Sequence, residues 1–418
     1  MTVGITSVPD TDRPDGAAAA LRSSTAVRER AQQLLQRARA GGSAWFAVHD
    51  DKLQFAAAEV AEITRAQYPD LKIPYHSRWR HFEAGGVDRK AALEVRLATL
   101  DGPGRARAMI DLTVVSVLLD AGAGPDWSYR EAATGARFVR SEGLGVASWH
   151  AFGDGLFSSD SACPLQVDAD GLRSLDVDRL AAAFQVGATN PLVGLDGRVQ
   201  LLHRLGDALA AQPEFFGPAA RPGGLFDALA PSSRSRALAA HDILAALLQT
   251  LSGIWLADNT IGGEPVGDCW RHAAVSGPGL TQGWVPFHKL SQWLTYSLLE
   301  PFEWAGVPVS GLDALTGLPE YRNGGLLLDT GVLQLRDPSW AIERWSVGDE
   351  LVIEWRALTV ALLDELAPLV RARLGLTEVE MPLACILEGG TWAAGRALAR
   401  RLRAGAPPLD IVSDGTVF

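Results

Sequence analysis

Glu320, Tyr321 and Arg322 stand together in Leu315-Thr-Gly-Leu-Pro-Glu-Tyr-Arg-Asn-Gly-Gly-Leu-Leu-Leu-Asp329. A carboxylate, a phenol and a guanidinium at the mouth of an apolar run are costly to bury unless they pair or meet a ligand. Two chemistries fit. As a structural pair, Glu320 and Arg322 anchor a loop, and Gly324-Gly325 leave its backbone free to bend. Facing a cavity, the same carboxylate serves as a general base and the guanidinium grips an oxyanion. Upstream, Phe287-His-Lys-Leu-Ser-Gln292 brings His288 and Lys289. Leu290, Trp293, Leu294 and Leu298 follow at helical spacing, with Lys289, Gln292 and Tyr296 on another side of that helix.

Other acids repeat the setting. Asp111, Glu354 and Glu388 each lie within or at the end of an apolar run, and Arg356 sits two residues from Glu354. An ionised acid on a buried element requires a partner. Convergent catalytic groups and separate buried ion pairs both satisfy that requirement, and spacing leaves the two open. The densest aromatic and basic mixture is Tyr75, His76, Arg78, Trp79, Arg80, His81 and Phe82. Arg78 and Arg80 offer forks for oxygen anions and the rings offer faces for a sugar; equally, the arginines can tie a loop to nearby carboxylates. His76 and His81 lack the spacing of a metal-binding helix, so no metal and no cofactor are expected.

The elements that must position these groups read as mainly helical. Apolar stripes predict helices over 25–37, from Asp50 or Asp51 to Tyr68, over 198–211, over 241–255 and over 393–402. The run 105–119 reads as a buried helix or strand, and 350–374 begins strand-like and continues as helix. A small β-hairpin is expected within 127–159, where glycines punctuate short apolar runs. Residues 1–24 read as a mobile tail. Residues 25–418 read as a single helical domain, with room for two lobes and a pocket between them. The net charge of −11 opposes a nucleic-acid surface. No apolar run is long enough to span a bilayer. Three scattered cysteines and no signal peptide point to the cytoplasm. Neither a Rossmann fingerprint, a P-loop nor a Gly-x-Ser-x-Gly elbow occurs.

The stretches PYHSRWRHFEAGGVDR, LLDAGAGPDW, VPFHKLSQWLTYSLLEP, LTGLPEYRNGGLLLD, IEWRALTVALL, LEGGTWAAGR and SDGTVF resemble the uracil-catabolism protein 4 family over roughly residues 24–418. That resemblance implies a place in a uracil-degradation route passing through a ribosylated urea. More distantly, Phe287-His-Lys-Leu-Ser-Gln292, Pro319-Glu-Tyr-Arg322 and Glu354-Trp-Arg-Ala357 are similar, in the same order, to segments of queuosine salvage proteins. Those proteins hydrolyse a nucleotide N-glycosidic bond on a helical fold likened to DNA glycosylases. This second resemblance implies Glu320 where that family has a catalytic aspartate, one methylene shorter. It implies Lys289 and Arg322 as phosphate ligands.

The leading expectation is a hydrolase that cleaves a ribosylated urea, or its 5′-phosphate, to urea and sugar. Glu320 and Asp111 are its expected carboxylates. Lys289, Arg322, His288, Tyr321, Arg78, Arg80, Arg356, Glu354 and Glu388 are the expected substrate-binding set. The alternatives are another hydrolytic step of pyrimidine breakdown, by amide or ring opening, and a non-enzymatic scaffold for other enzymes. A small molecule is the expected partner; the oligomeric state is left open.

Overall fold

A computed structural model describes residues 8–231 and 236–412. The first helices are α1 (Pro14–Leu21), α2 (Ser24–Arg39), α3 (Leu53–Gln67), α4 (Arg78–Phe82), α5 (Arg89–Arg96), α6 (Gly102–Leu118) and α7 (Arg140–Gly153). The middle of the chain adds α8 (Ala169–Arg173), α9 (Val177–Ala183), α10 (Leu195–Ala211), α11 (Pro213–Phe216), α12 (Gly224–Leu229) and α13 (Ala240–Leu251). The last are α14 (Lys289–Trp304), α15 (Tyr321–Asp329), α16 (Glu350–Leu374), α17 (Leu383–Ile386) and α18 (Trp392–Arg403). A π-helical turn, Leu387–Thr391, joins α17 to α18. Strands among the described residues are short and pair only two by two, so the fold is mainly α. The expected hairpin forms between Ser128–Arg130 and Arg137–Val139, with Tyr129 opposite Phe138. No helix of the described residues is long and apolar enough to cross a membrane.

Local chemistry accounts for several helix starts. The side chains of Ser23, Asp88, Asp101, Asp168 and Asp176 each accept a backbone N–H from the first turn that follows. Such caps satisfy donors that no helix can satisfy internally. Burial then decides the rest. α16 packs against α2 and α3, and α14 against α6 and α13. Val352, Ile353 and Val360 favour strands in isolation, yet α16 is helical from Glu350 because it is buried on nearly every side over its first three turns.

Three expectations are corrected. Residues 14–21, assigned to a mobile tail, form α1, whose Ala17, Ala18 and Leu21 are buried with Ile261, Val266, Cys269 and Trp284. The glycine-punctuated run after the hairpin is a helix, α7. A β-carbon at Gly145 would meet the His81 Cβ at 2.9 Å, so glycine there lets α7 approach α4. Third, Gly324 and Gly325 do not form a flexible bend; both lie inside α15. The final Val-Phe and the rest of 413–418 lie outside the described residues.

α15 fits between α16 and α18 through missing side chains. A β-carbon at Gly324 would come within 2.6 Å of the Trp355 ring on α16, and one at Gly395 within 2.1 Å of the Arg322 carbonyl oxygen. Gly395→Ala is therefore expected to destabilise the protein by roughly 1–3 kcal/mol through overpacking. Gly187→Ala, which meets no heavy atom within 4 Å, should shift stability by less than about 0.5 kcal/mol. Denaturant titration of both variants checks this; equal, small changes would show that the three helices are not in close contact.

Candidate functional site

Glu320 is the N-cap of α15. Its two carboxylate oxygens accept the backbone N–H groups of Arg322 at 2.8 Å and Asn323 at 2.6 Å. The side chain of Arg322 turns away from it, lying over the Tyr321 ring at 4.7 Å and reaching the Gly405 carbonyl at 3.4 Å. The carboxylate is thus oriented by helix N–H groups rather than by its neighbouring guanidinium. Burial raises the Glu320 pKa, against the pull of those two N–H groups and of Lys289 and His76, which both lie within electrostatic reach.

Lys289 opens α14. Its backbone N–H donates to Asp268 Oδ2 at 2.9 Å. Burial, and then the positive charge of Arg356, push the Lys289 amine down to about 8, while Asp268, Glu320 and Asp120 oppose the shift. Asp268 anchors this corner. It takes both Arg356 Nη atoms, at 2.9 and 2.8 Å, and the Trp270 indole N–H at 2.7 Å. A buried carboxylate held by a guanidinium fork costs little once made and much when broken.

One turn after Lys289, Trp293 gathers the aromatic and basic segment. Its ring lies 6.3 Å from His76, 5.7 Å from His81 and 5.6 Å from the Arg78 guanidinium. His76 Nδ1 meets Glu388 Oε2 at 2.7 Å, and its ring lies 6.2 Å from Trp392 at the start of α18. Arg78 is fully buried and pairs with Asp120 at 3.2 Å. Burial and the Arg78 charge push His81 down to about 4, so its imidazole is neutral near pH 7. Trp293 Nε1, Arg78 Nη2, Arg322 Nε, Asn323 Oδ1 and Thr391 Oγ1 are buried and find no hydrogen-bond partner among the described residues. Buried polar atoms are satisfied in most proteins, so a concentration of exceptions marks a place built for a polar ligand or water.

The structure thus brings Glu320, Tyr321, Arg322, Lys289, Arg78 and Glu388 into one linked cluster. The remaining expected residues are engaged in other ways. Asp111 Oδ2 is held by Arg221 at 2.6 Å and Oδ1 by the Gly223 N–H at 2.7 Å, while burial raises its pKa to about 6. Glu354 is fully buried and accepts from the Ser43 hydroxyl, with His272 Nε2 at 3.2 Å and Arg37 at 3.4 Å. Arg80 pairs with Glu300 at 2.7 Å and Glu83 at 2.9 Å. His288, in the left-handed region with φ 51°, places Nε2 2.9 Å from the Leu21 carbonyl. Arg356 borders the cluster through Asp268. Among the described residues no three His, Cys, Asp or Glu side chains gather as a metal site. Burial pushes the Cys269 and Cys385 thiols up, away from the thiolate form.

Arg322 also reaches the floor of an open cavity of about 540 Å³ between the hairpin, α7 and α18. Neither Glu320 nor Lys289 lines it. Sequence reasoning overlooked Asp268, Trp293 and, apart from Arg322, the arginines of this cavity as site residues. Asp268 sits in a glycine-punctuated loop and Trp293 reads as part of an apolar stripe. Arg137 and Arg140 lie more than 250 residues from Arg396 and Arg400 in the chain.

The fold is thus mainly helical, with a buried ionic cluster and an arginine-lined hollow that share Arg322. The chain belongs to the family described as a protein of unknown function, DUF1688, which matches residues 20–418. It is 40% identical over 403 residues to "Protein urg3" of Schizosaccharomyces pombe, covering 94% of this chain and 96% of that one. It is 38% identical over 400 residues to "Uracil catabolism protein 4" of Lachancea kluyveri, covering 88% and 90%. The resemblance to the uracil-catabolism protein 4 family is therefore borne out.

Lys289 should titrate near pH 8 when the amines are ¹³C-methylated and followed by NMR. Its folded pKa lies below the ordinary 10.5. The protonated amine therefore costs stability at neutral pH, and that cost is relieved as pH rises from about 8 toward 10.5. A Lys289 signal that titrates at the ordinary 10.5 would contradict the buried position.

Proposed function

We propose that this chain acts in uracil catabolism as an N-glycoside hydrolase, cleaving a ribosylated urea or its 5′-phosphate to urea and the sugar. The observation that carries the reading is Glu320: a carboxylate aimed by two helix N–H groups, raised in pKa by burial, with Lys289 and His76 in electrostatic reach. The name of the Lachancea kluyveri relative supports the pathway. The two resemblances of the sequence support the bond type.

Departure of urea from the anomeric carbon leaves an oxocarbenium-like centre. The Glu320 carboxylate faces that centre, stabilises its positive charge, and takes a proton from the attacking water. The water oxygen forms the new bond to carbon, the C–N bond breaks, and the departing nitrogen takes up a proton. Lys289, with an amine at about 8, supplies that proton. Trp293, His76 and His81 offer ring faces against the sugar. One substrate and one water thus give urea and the free sugar, with the protons balanced.

Purified Glu320→Gln should release urea at least about 100-fold more slowly than wild type while remaining folded, in line with loss of a general base. The wild-type pH profile should be bell-shaped. Activity falls as Glu320 is protonated on the acid side and as Lys289 loses its proton above about 8. Lys289→Arg should move the alkaline limb upward. Full urea release by folded Glu320→Gln would remove the carboxylate from this role.

A further inference from the structure

The cavity floored by Arg322 carries a charge that the glycoside reading does not use. Five arginines line it, Arg137, Arg140, Arg322, Arg396 and Arg400, against one acid, Glu142. Five against one leaves a local surplus of four positive charges in a chain whose net charge is −11. Pairing among the described residues accounts for little of it. Arg396 meets Glu142 at 2.8 Å, and Arg137 Nε donates to the Ser128 hydroxyl at 2.7 Å. Arg322 is 3% exposed, and its buried Nε has no hydrogen-bond partner among the described residues. A guanidinium buried with an unused donor at the base of a hollow is stable only beside an acceptor.

The backbone at the rim adds to the pattern. Arg140 adopts φ 54° and Ala404 φ 51°, a conformation that non-glycine residues take at a conformational cost. Both line the cavity. Arg140 also begins α7, whose first turn has no side-chain cap. The positive end of this helix therefore lies at the cavity wall, with Glu142 in its first turn. Tyr321 connects the two regions: Arg322 covers its ring, Arg140 is within electrostatic reach, and Glu320 precedes it in the chain.

We propose that this cavity binds the phosphoryl group of a phosphate monoester, with Arg322 on the floor and Arg140 and Arg400 closing on it from the rim. A dianion with several acceptor oxygens matches a surplus of guanidinium forks better than a single carboxylate does. The proposal deepens the glycoside reading by making the substrate a sugar 5′-phosphate, and it rests on that reading only for the sugar being directed toward Glu320.

The test is calorimetric titration of the full-length protein with ribose 5-phosphate, ribose and inorganic phosphate. Ribose 5-phosphate should bind at least about tenfold more tightly than ribose, as charge-assisted bonds to phosphate require. Inorganic phosphate should compete with it, and raising the salt from low to high concentration should weaken binding at this solvent-open mouth. Arg140→Ala and Arg400→Ala, both at exposed positions, should each lower affinity about tenfold. Arg65→Ala and Arg373→Ala, from a separate surface hollow, should leave it unchanged. Equal binding of ribose and ribose 5-phosphate, absence of competition by phosphate, or wild-type affinity in both rim variants overturns the proposal. Glu320→Gln separates the two readings. If that variant keeps wild-type urea release while ribose 5-phosphate still binds through the rim arginines, the hydrolase reading fails and the phosphate site stands. Loss of turnover without any phosphate preference gives the converse.

Discussion

The contact of α15 with its two neighbours governs where chemistry can occur in this protein. With no side chain at Gly324 or Gly395, the helix settles against Trp355 on one side and is met by α18 on the other. That position fixes the N-terminus of α15, and the N-terminus fixes Glu320. The carboxylate does not wander on a loop: two amide hydrogens hold it, and its pKa is set by what surrounds the helix end. Arg322, two residues on, lies over the Tyr321 ring and lines the neighbouring cavity. A single helix start therefore carries both the oriented acid and the cation of that cavity.

Charge burial sorts the remaining polar residues. Asp268 with Arg356, Asp111 with Arg221 and Glu131 with Arg89 are closed pairs whose hydrogen bonds are largely used up inside the protein. Breaking such a pair leaves a buried charge alone, which is why these residues read as structural supports. The cluster around Trp293 is different. Its members make some contacts but leave buried donors and acceptors over, and burial lowers the Lys289 amine and raises the Glu320 carboxyl. An acid and a base moved toward the working pH in this way suit proton transfer. The π-helical turn at 387–391 belongs to this region as well, bringing Glu388 against His76.

Much of the helical architecture could be read from 3.6-residue periodicity, because the apolar stripes of α2, α3, α10 and α14 are local features. What escaped was local pattern overruled by distant packing. Gly143, Gly145, Gly324 and Gly325 look like breakers in a one-dimensional reading. All four are helical, and at Gly145 and Gly324 the space a side chain would fill is taken by His81 on α4 and Trp355 on α16. The alanines of α1 look like tail residues until Ile261 and Trp284 arrive from more than 200 residues away. The same limit applies to the site. Glu320, Lys289 and Arg322 were visible as polar groups beside apolar runs. Asp268 acquires its meaning from Arg356, 88 residues away, and Arg140 from Arg396 and Arg400. Residue type and spacing carry no trace of those meetings.

The π-helical turn has a geometric consequence for everything that follows it. It accommodates one residue more per turn than the helix on either side. Deleting that extra residue would restore regular winding and leave Trp392, Arg396 and Arg400 close to their present phase, because the wider turn already absorbs it. What would be lost is the local bulge that carries Glu388 toward His76. The extra residue thus shapes one turn and keeps the wall beyond it in register, so a single-codon deletion there would touch the His76 pair and spare the hollow.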